Sequence, residues 1–92
     1  MDYPVHVGWM LLRKIVAMPD LPMLKSSEII SALKRGGFVE VRGKGSHVKM
    51  KKGGRIAVVP DHGGRDVPRG TSRSIVGQAG LTADEFLPLL KG

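Results

Sequence analysis

The stretch Arg42-Gly43-Lys44-Gly45-Ser46-His47-Val48-Lys49-Met50-Lys51-Lys52 holds the residues best suited to chemistry. A turn carrying Gly43 and Gly45 runs into a segment in which apolar and polar residues alternate. Successive side chains of a strand leave opposite faces. Ser46, Val48 and Met50 therefore share one face, and His47, Lys49 and Lys51 share the other. The first face suits a core. The second sets an imidazole beside two ammonium groups, and cleavage of a phosphodiester needs such a proton acceptor in a positive field. An imidazole there is a candidate base for chemistry on a phosphodiester. Lys44 and Lys49 are placed to offset charge on the non-bridging oxygens. The glycines let backbone amides approach phosphate closely. Ser46, on the opposite face, is expected only to cap the turn.

Six basic residues (Arg42, Lys44, Lys49, Lys51, Lys52 and Arg55) and no acidic one lie between positions 42 and 55. In residues 1–23, Arg13 and Lys14 balance Asp2 and Asp20, so the whole net charge of +7 belongs to residues 24–92. A one-signed run containing a histidine points to a phosphate-binding surface made of Arg42, Lys44, Gly45, Lys49, Lys51, Lys52 and Arg55. The competing reading is a solvated turn and edge strand.

Ninety-two residues suffice for one small domain. Without cysteine there is no disulfide framework and no thiolate metal site. His6, His47 and His62 share no ligand spacing, and carboxylates are too sparse for two-metal chemistry, so neither metal nor cofactor is expected. The apolar run Val7–Val16 is broken by Arg13 and Lys14 and is too short to span a bilayer. It also lacks the basic start and small-residue end of a secretory signal. The expected location is the cytoplasm.

Several elements must position the charged segment. Residues 1–22 are expected to be an extension ending in Pro19 and Pro22, with a short helix over Val7–Ala17 whose Trp9, Leu12 and Val16 share one side. The functional domain is expected over residues 23–92. Ser26 or Ser27 is expected to cap a first helix that carries Glu28 near its start and Ile29, Ile30 and Leu33 as its apolar stripe. Gly36-Gly37 ends it. Phe38–Arg42 predicts a strand, the His47 segment a second, and Lys52-Gly53-Gly54-Arg55 a hairpin turn. Ile56–Val59 predicts a third strand, more apolar and so more buried, stopped by Pro60. After a loop, Thr71 is expected to cap a helix over Ser72–Ala79 that Gly80 closes. Thr82 and Glu85 fit a capping box for a short last helix limited by Pro88. The order predicts an α+β fold, a three-stranded antiparallel sheet with helices on one face. It is also the α-β-β-β-α order of double-stranded-RNA-binding domains.

At this point a family resemblance emerges. Ser27-Glu28-Ile29-Ile30 with Leu33, Gly37-Phe38, Lys44-Gly45-Ser46-His47, Val59-Pro60 with His62, Gly70-Thr71 with Arg73-Ser74-Ile75, and Gln78-Ala79-Gly80-Leu81 with Glu85-Phe86 together resemble HicA-type toxins. Those are mRNA interferases of toxin–antitoxin pairs, and the likeness covers about residues 18–90. It implies a double-stranded-RNA-binding-like fold, metal-independent cleavage of mRNA and a HicB-like antitoxin partner. The family's Gly-Ser-His histidine carries over to His47. Three departures stand out: Gly43 where a polar side chain is frequent, Ser72 where an apolar one is common, and Gly77 inside a helix, costing up to about 1 kcal/mol against alanine.

His62 is a second candidate, either a general acid for the leaving oxygen or a loop residue between Asp61 and Gly63-Gly64. Arg65, Arg69 and Arg73 suit RNA-backbone contacts or the rim of an acidic partner. Two rivals use the same fold without cleavage: an RNA-binding module acting through shape and backbone contacts, and a regulator that only engages its antitoxin.

Overall fold

A computed structural model describes residues 21–92, with Lys44 and His62 excepted. The helix expected over Val7–Ala17 lies outside the described residues. The elements run β1 (Leu24–Lys25), α1 (Ser26–Arg35), β2 (Val39–Arg42), β3 (His47–Lys52), β4 (Arg55–Pro60), β5 (Asp66–Val67), α2 (Arg69–Gln78) and α3 (Ala83–Phe86), and a 3-10 helix (Leu87–Lys91) closes the chain.

In α1, Ile29, Ile30, Ala32 and Leu33 are buried, the one-sided stripe expected of a helix packed on a sheet. Its cap differs from expectation. Lys25 occupies the N-cap, and its N–H donates to the Glu28 carboxylate at 2.8 Å. Ser26 is the first helical residue, and its hydroxyl donates to the Pro60 carbonyl at 2.5 Å. A part-buried tertiary acceptor outcompetes the local capping role, which Glu28 half fills from inside the first turn. At the other end Gly37 takes φ +94°, and the Phe38 N–H returns to the Leu33 carbonyl at 2.9 Å.

Strands β2, β3 and β4 form an antiparallel sheet with β3 in the centre. Gly53-Gly54 makes the two-residue turn that pairs Lys52 with Arg55, with Gly53 at φ +58°. Val48 and Met50 of β3 and Ala57 and Val59 of β4 are fully buried beneath α1 and α2, alongside Phe38, Ile75 and Phe86. The residues between them face away from the helices. This is the expected α+β, α-β-β-β-α architecture.

Two strand expectations change. The third strand is buried on one side only, with Ile56 48% exposed, because it is an edge strand with a single packed face. Pro60 is its last residue rather than its stop. On β4 the backbone groups of Ile56, Val58 and Pro60 point away from β3, so the missing proline N–H costs no ladder bond. The two-residue ladder of β1 and β5, pairing Leu24 with Val67 and Lys25 with Asp66, is too short to show alternation in sequence.

Helix α2 starts at Arg69 with Pro68 as N-cap, ahead of the expected Thr71. Proline's fixed φ is already helix-compatible, and the Pro68 carbonyl accepts from the Ser72 N–H at 3.0 Å. Thr82 and Glu85 form the expected capping box, with bonds of 2.9 and 3.2 Å. Leu21, assigned by sequence to the extension, is 2% exposed, and its carbonyl accepts from Arg69 Nε at 3.0 Å. The packed unit therefore includes Leu21.

Ser72 is buried on the inner side of α2, and its hydroxyl has no hydrogen-bond partner. A buried unpaired hydroxyl costs about 1–3 kcal/mol, and alanine also has the better helix propensity. Ser72→Ala is expected to stabilise the protein by about 1 kcal/mol in denaturant unfolding. A lower unfolding midpoint at unchanged slope would refute the account of this position.

Candidate active site on the open sheet face

Alternation along β3 sends His47, Lys49 and Lys51 to the face opposite α1 and α2, and all three are exposed. The register sets Lys49 between Val41 and Val58, and Lys51 between Val39 and Ile56; His47 faces Pro60. Residues directly opposite share a face, so a central column of one imidazole and two ammonium groups runs between two aliphatic columns. Val39, Val41 and Ile56 are 64%, 43% and 48% exposed. The strand residues of this face include no carboxylate.

The turn before His47 needs its glycine. Gly45 sits at φ +86°, where a side chain would strain the backbone. Beyond Pro60 the Asp61 N–H donates to the Ser46 carbonyl at 2.6 Å, extending the pairing past His47. The Pro60 carbonyl is held from behind by Ser26, itself 1% exposed. On the same outer edge, the Val58 N–H donates to the Gln78 side chain at 2.9 Å. The strand opposite His47 is thus fixed to the first turn of α1 and the last turn of α2. Sequence inspection does not reveal Ser26, Pro60 and Gln78 as supports, since each acts across more than 15 positions or through a bond to backbone.

The expected phosphate-binding residues divide between the two faces. Lys49 and Lys51 stand with His47, and Gly45 lies in the turn leading to it. Arg42, Lys52 and Arg55 share the helix side of the sheet with Val48, Met50 and Ala57. Arg42 pairs with Glu40 at 3.1 Å and with Asp61 at 3.3 Å. Lys52 donates to the Gly36 carbonyl at 2.8 Å and lies over the Phe38 ring. Arg55 packs against Gly80, where an added Cβ would come within 2.9 Å of its Nε. Arg73 is on α2, lining a cleft with Leu21, Val76 and Leu81. Lys44 and His62 fall outside the described residues. Among the described residues no three His, Asp or Glu side chains converge to hold a metal ion, and no helix is long and apolar enough to cross a membrane.

Charge is sorted by face. Glu40 lies on the helix side between Lys34 at 2.9 Å and Arg42 at 3.1 Å. The Lys34 hydrogen bond, with help from Arg42, holds the Glu40 carboxyl below its ordinary 4.5. The Asp61 hydrogen bond, followed by that of Glu40, raises the Arg42 guanidinium further. None of the ion pairs among described residues involves Lys49 or Lys51.

Two outcomes are expected. Ser26→Ala strips the donor from the Pro60 carbonyl, so stability falls by about 1–2 kcal/mol and the His47 imidazole resonances shift. A wild-type denaturation midpoint with unmoved His47 signals would contradict that support. The second concerns acid. A carboxyl whose folded value lies below its unfolded one stabilises above the unfolded value and loses that contribution as pH falls through the folded one. The melting-temperature gap between wild type and Glu40→Gln should hold from neutrality to about pH 4.5 and close below it. A gap independent of pH would show that Glu40 acts only through packing.

The family model described as "HicA toxin of bacterial toxin-antitoxin" matches residues 26–81, from the start of α1 through the turn after α2. The chain is also similar to a "Probable mRNA interferase HicA" of Pseudomonas fluorescens (strain Pf0-1). The two are 43% identical over 58 residues, which is 63% of this chain and 97% of that relative. The matched segment contains the sheet, both packing helices and the His47 column. By that match, and by the fold and face described above, this chain belongs to the HicA toxin family.

Proposed function

We propose that the protein is the toxin of a toxin–antitoxin pair and acts as a metal-independent endoribonuclease on mRNA, with His47 as general base. One observation carries the reading. Among the described strand residues the only imidazole, His47, heads a lysine column that shares its face with no carboxylate, while Arg42, Lys52 and Arg55 are turned to the other side. His47 takes the 2′-hydroxyl proton. The 2′ oxygen bonds to phosphorus, the bond to the 5′ oxygen breaks, and that oxygen takes a proton from solvent water as it leaves. A 2′,3′-cyclic phosphate and a 5′-hydroxyl result. Lys49 offsets charge on the phosphoryl oxygens, and Lys44 stands in the same turn by sequence. The hydroxyl is already in place beside its phosphorus, so the step gains from proximity and needs only a proton acceptor. His62 and Arg73 are assigned accessory roles at most.

The partner is a HicB-like antitoxin, acidic where it meets the lysine column and covering His47. A one-signed face favours fast capture by an opposite one. The unit that acts is residues 23–92 together with the buried Leu21, and its place is the cytoplasm, where mRNA is met.

The test is cleavage of an unstructured RNA by the purified chain in excess EDTA. Proton transfer by a positioned base contributes about 10²–10⁴-fold. His47→Ala is therefore expected to lose at least about a hundredfold in rate with an unchanged melting temperature, since the side chain is exposed. RNA carrying a 2′-deoxy nucleotide 5′ to the cut should stay intact. Wild-type rates from His47→Ala, strict magnesium dependence, or cutting of the deoxy substrate would refute the mechanism. RNA binding without cleavage by the wild type would favour the non-catalytic module.

A further inference from the structure

We infer that the open sheet face takes its RNA as one unpaired strand laid along β3, with Lys51, Val41 and Ile56 as a positioning subsite beyond the cut. This deepens the reading of His47 as the cleaving base and rests on it for the position of the scissile phosphate.

The face is one phosphate chain wide. Its strand cations are Lys49 and Lys51, both in the central strand. Neighbouring strands lie about 4.8 Å to either side, and there the outward residues are Val39 and Val41 on β2 and Ile56 and Val58 on β4. A duplex presents two phosphate chains. One could follow the lysines, but the other would meet aliphatic side chains or pass beyond the sheet, where no strand residue of this face offers a positive charge. A single strand asks for nothing more than the column supplies.

The spacing agrees. Alternate residues of an antiparallel strand are about 6.8 Å apart. His47, Lys49 and Lys51 therefore repeat at close to the interval between successive phosphates of an extended chain. With the scissile phosphate at His47, the next two along one direction fall near Lys49, whose charge acts on both it and the scissile phosphate, and at Lys51.

The aliphatic columns are otherwise unexplained. Val39, Val41 and Ile56 are large apolar residues left open on a strongly basic surface. Such side chains contact ribose and base faces but offer no donor or acceptor to a base edge. They can grip bases splayed out of a stack, as in recognition of single strands, while reading little of their identity. Bases stacked and paired inside a duplex cannot reach them. Val41 borders Lys49, and Ile56 borders Lys51, so the grip falls on the nucleotides next to the cut.

The experiment has a binding arm and a cleavage arm. In the first, anisotropy of a fluorescein-labelled unstructured RNA is followed with His47→Ala protein, then repeated with that RNA annealed to its complement. The single strand should bind at least tenfold tighter. Lys51→Ala, added to His47→Ala, should lower the log–log salt slope by about 0.7, the share of one single-strand phosphate. In the second, RNAs cut by the wild type are shortened one nucleotide at a time on each side of the cut. Loss of the second phosphate on one side should raise KM severalfold for the wild type and not for Lys51→Ala. Val41→Thr and Ile56→Thr should act on KM and leave kcat, the signature of lost uniform binding. Equal affinity for single strand and duplex, or additive effects of shortening and Lys51→Ala, overturns the inference even where cleavage by His47 stands. Threonine variants with normal RNA kinetics but weakened antitoxin binding overturn it too, assigning the columns to the protein partner. Failure of the wild type to cut any RNA removes the His47 reading, while the binding arm still decides between single strand and duplex.

Discussion

Everything at the site depends on β3 being a central strand with only one packed face. Val48 and Met50 are completely buried, and their neighbours His47, Lys49 and Lys51 must then point outward. Slipping the strand by one residue would drive an imidazole and two ammonium groups into the core and expose both apolar side chains, so the register is strongly specified. The same alternation that fills the core therefore builds the charged column.

Charge sorting follows from that geometry. Glu40 and Arg42 of β2 share the helix side of the sheet with Lys52 and Arg55 of the following hairpin. There, close to helix termini and loops, Glu40, Arg42 and Lys52 find partners in Lys34, Asp61 and the Gly36 carbonyl. The exposed pairs contribute little stability. Their larger consequence is spatial: alternation sets Glu40 on the helix side, and the Arg42 pair holds the Asp61 carboxylate beside it. Among the described residues no ion pair involves Lys49 or Lys51, so the open face keeps its positive charge.

The face is also supported from behind. β4 is an edge strand, and an unsatisfied edge invites pairing with another chain. Pro60 removes one outward donor, the Gln78 side chain takes another, and Ser26 takes the Pro60 carbonyl. These bonds cover part of the edge and tie the strand opposite His47 to both helices. In the proposed role of His47 as base, fixed neighbours would keep its aim at little entropic cost.

Most of this was legible in the sequence where the signal is local. Strand alternation picked out His47, Lys49 and Lys51, glycine pairs marked the turns, and Thr82 with Glu85 announced a capping box. Local signals went astray where a residue's partner lies far along the chain. Ser26 looked like a helix cap and is a tertiary tie. Ile56 looked buried but lies on the open side of an edge strand. Arg42, Lys52 and Arg55 belonged to one basic run in sequence and stand on the far side of the sheet from His47. Residue type and spacing by themselves determine which side chains share a face, because that follows from backbone periodicity. Which face meets the helices, which edge is partly covered and which charges are neutralised were decided only by the tertiary structure, because each depends on contacts between segments that the linear order leaves apart.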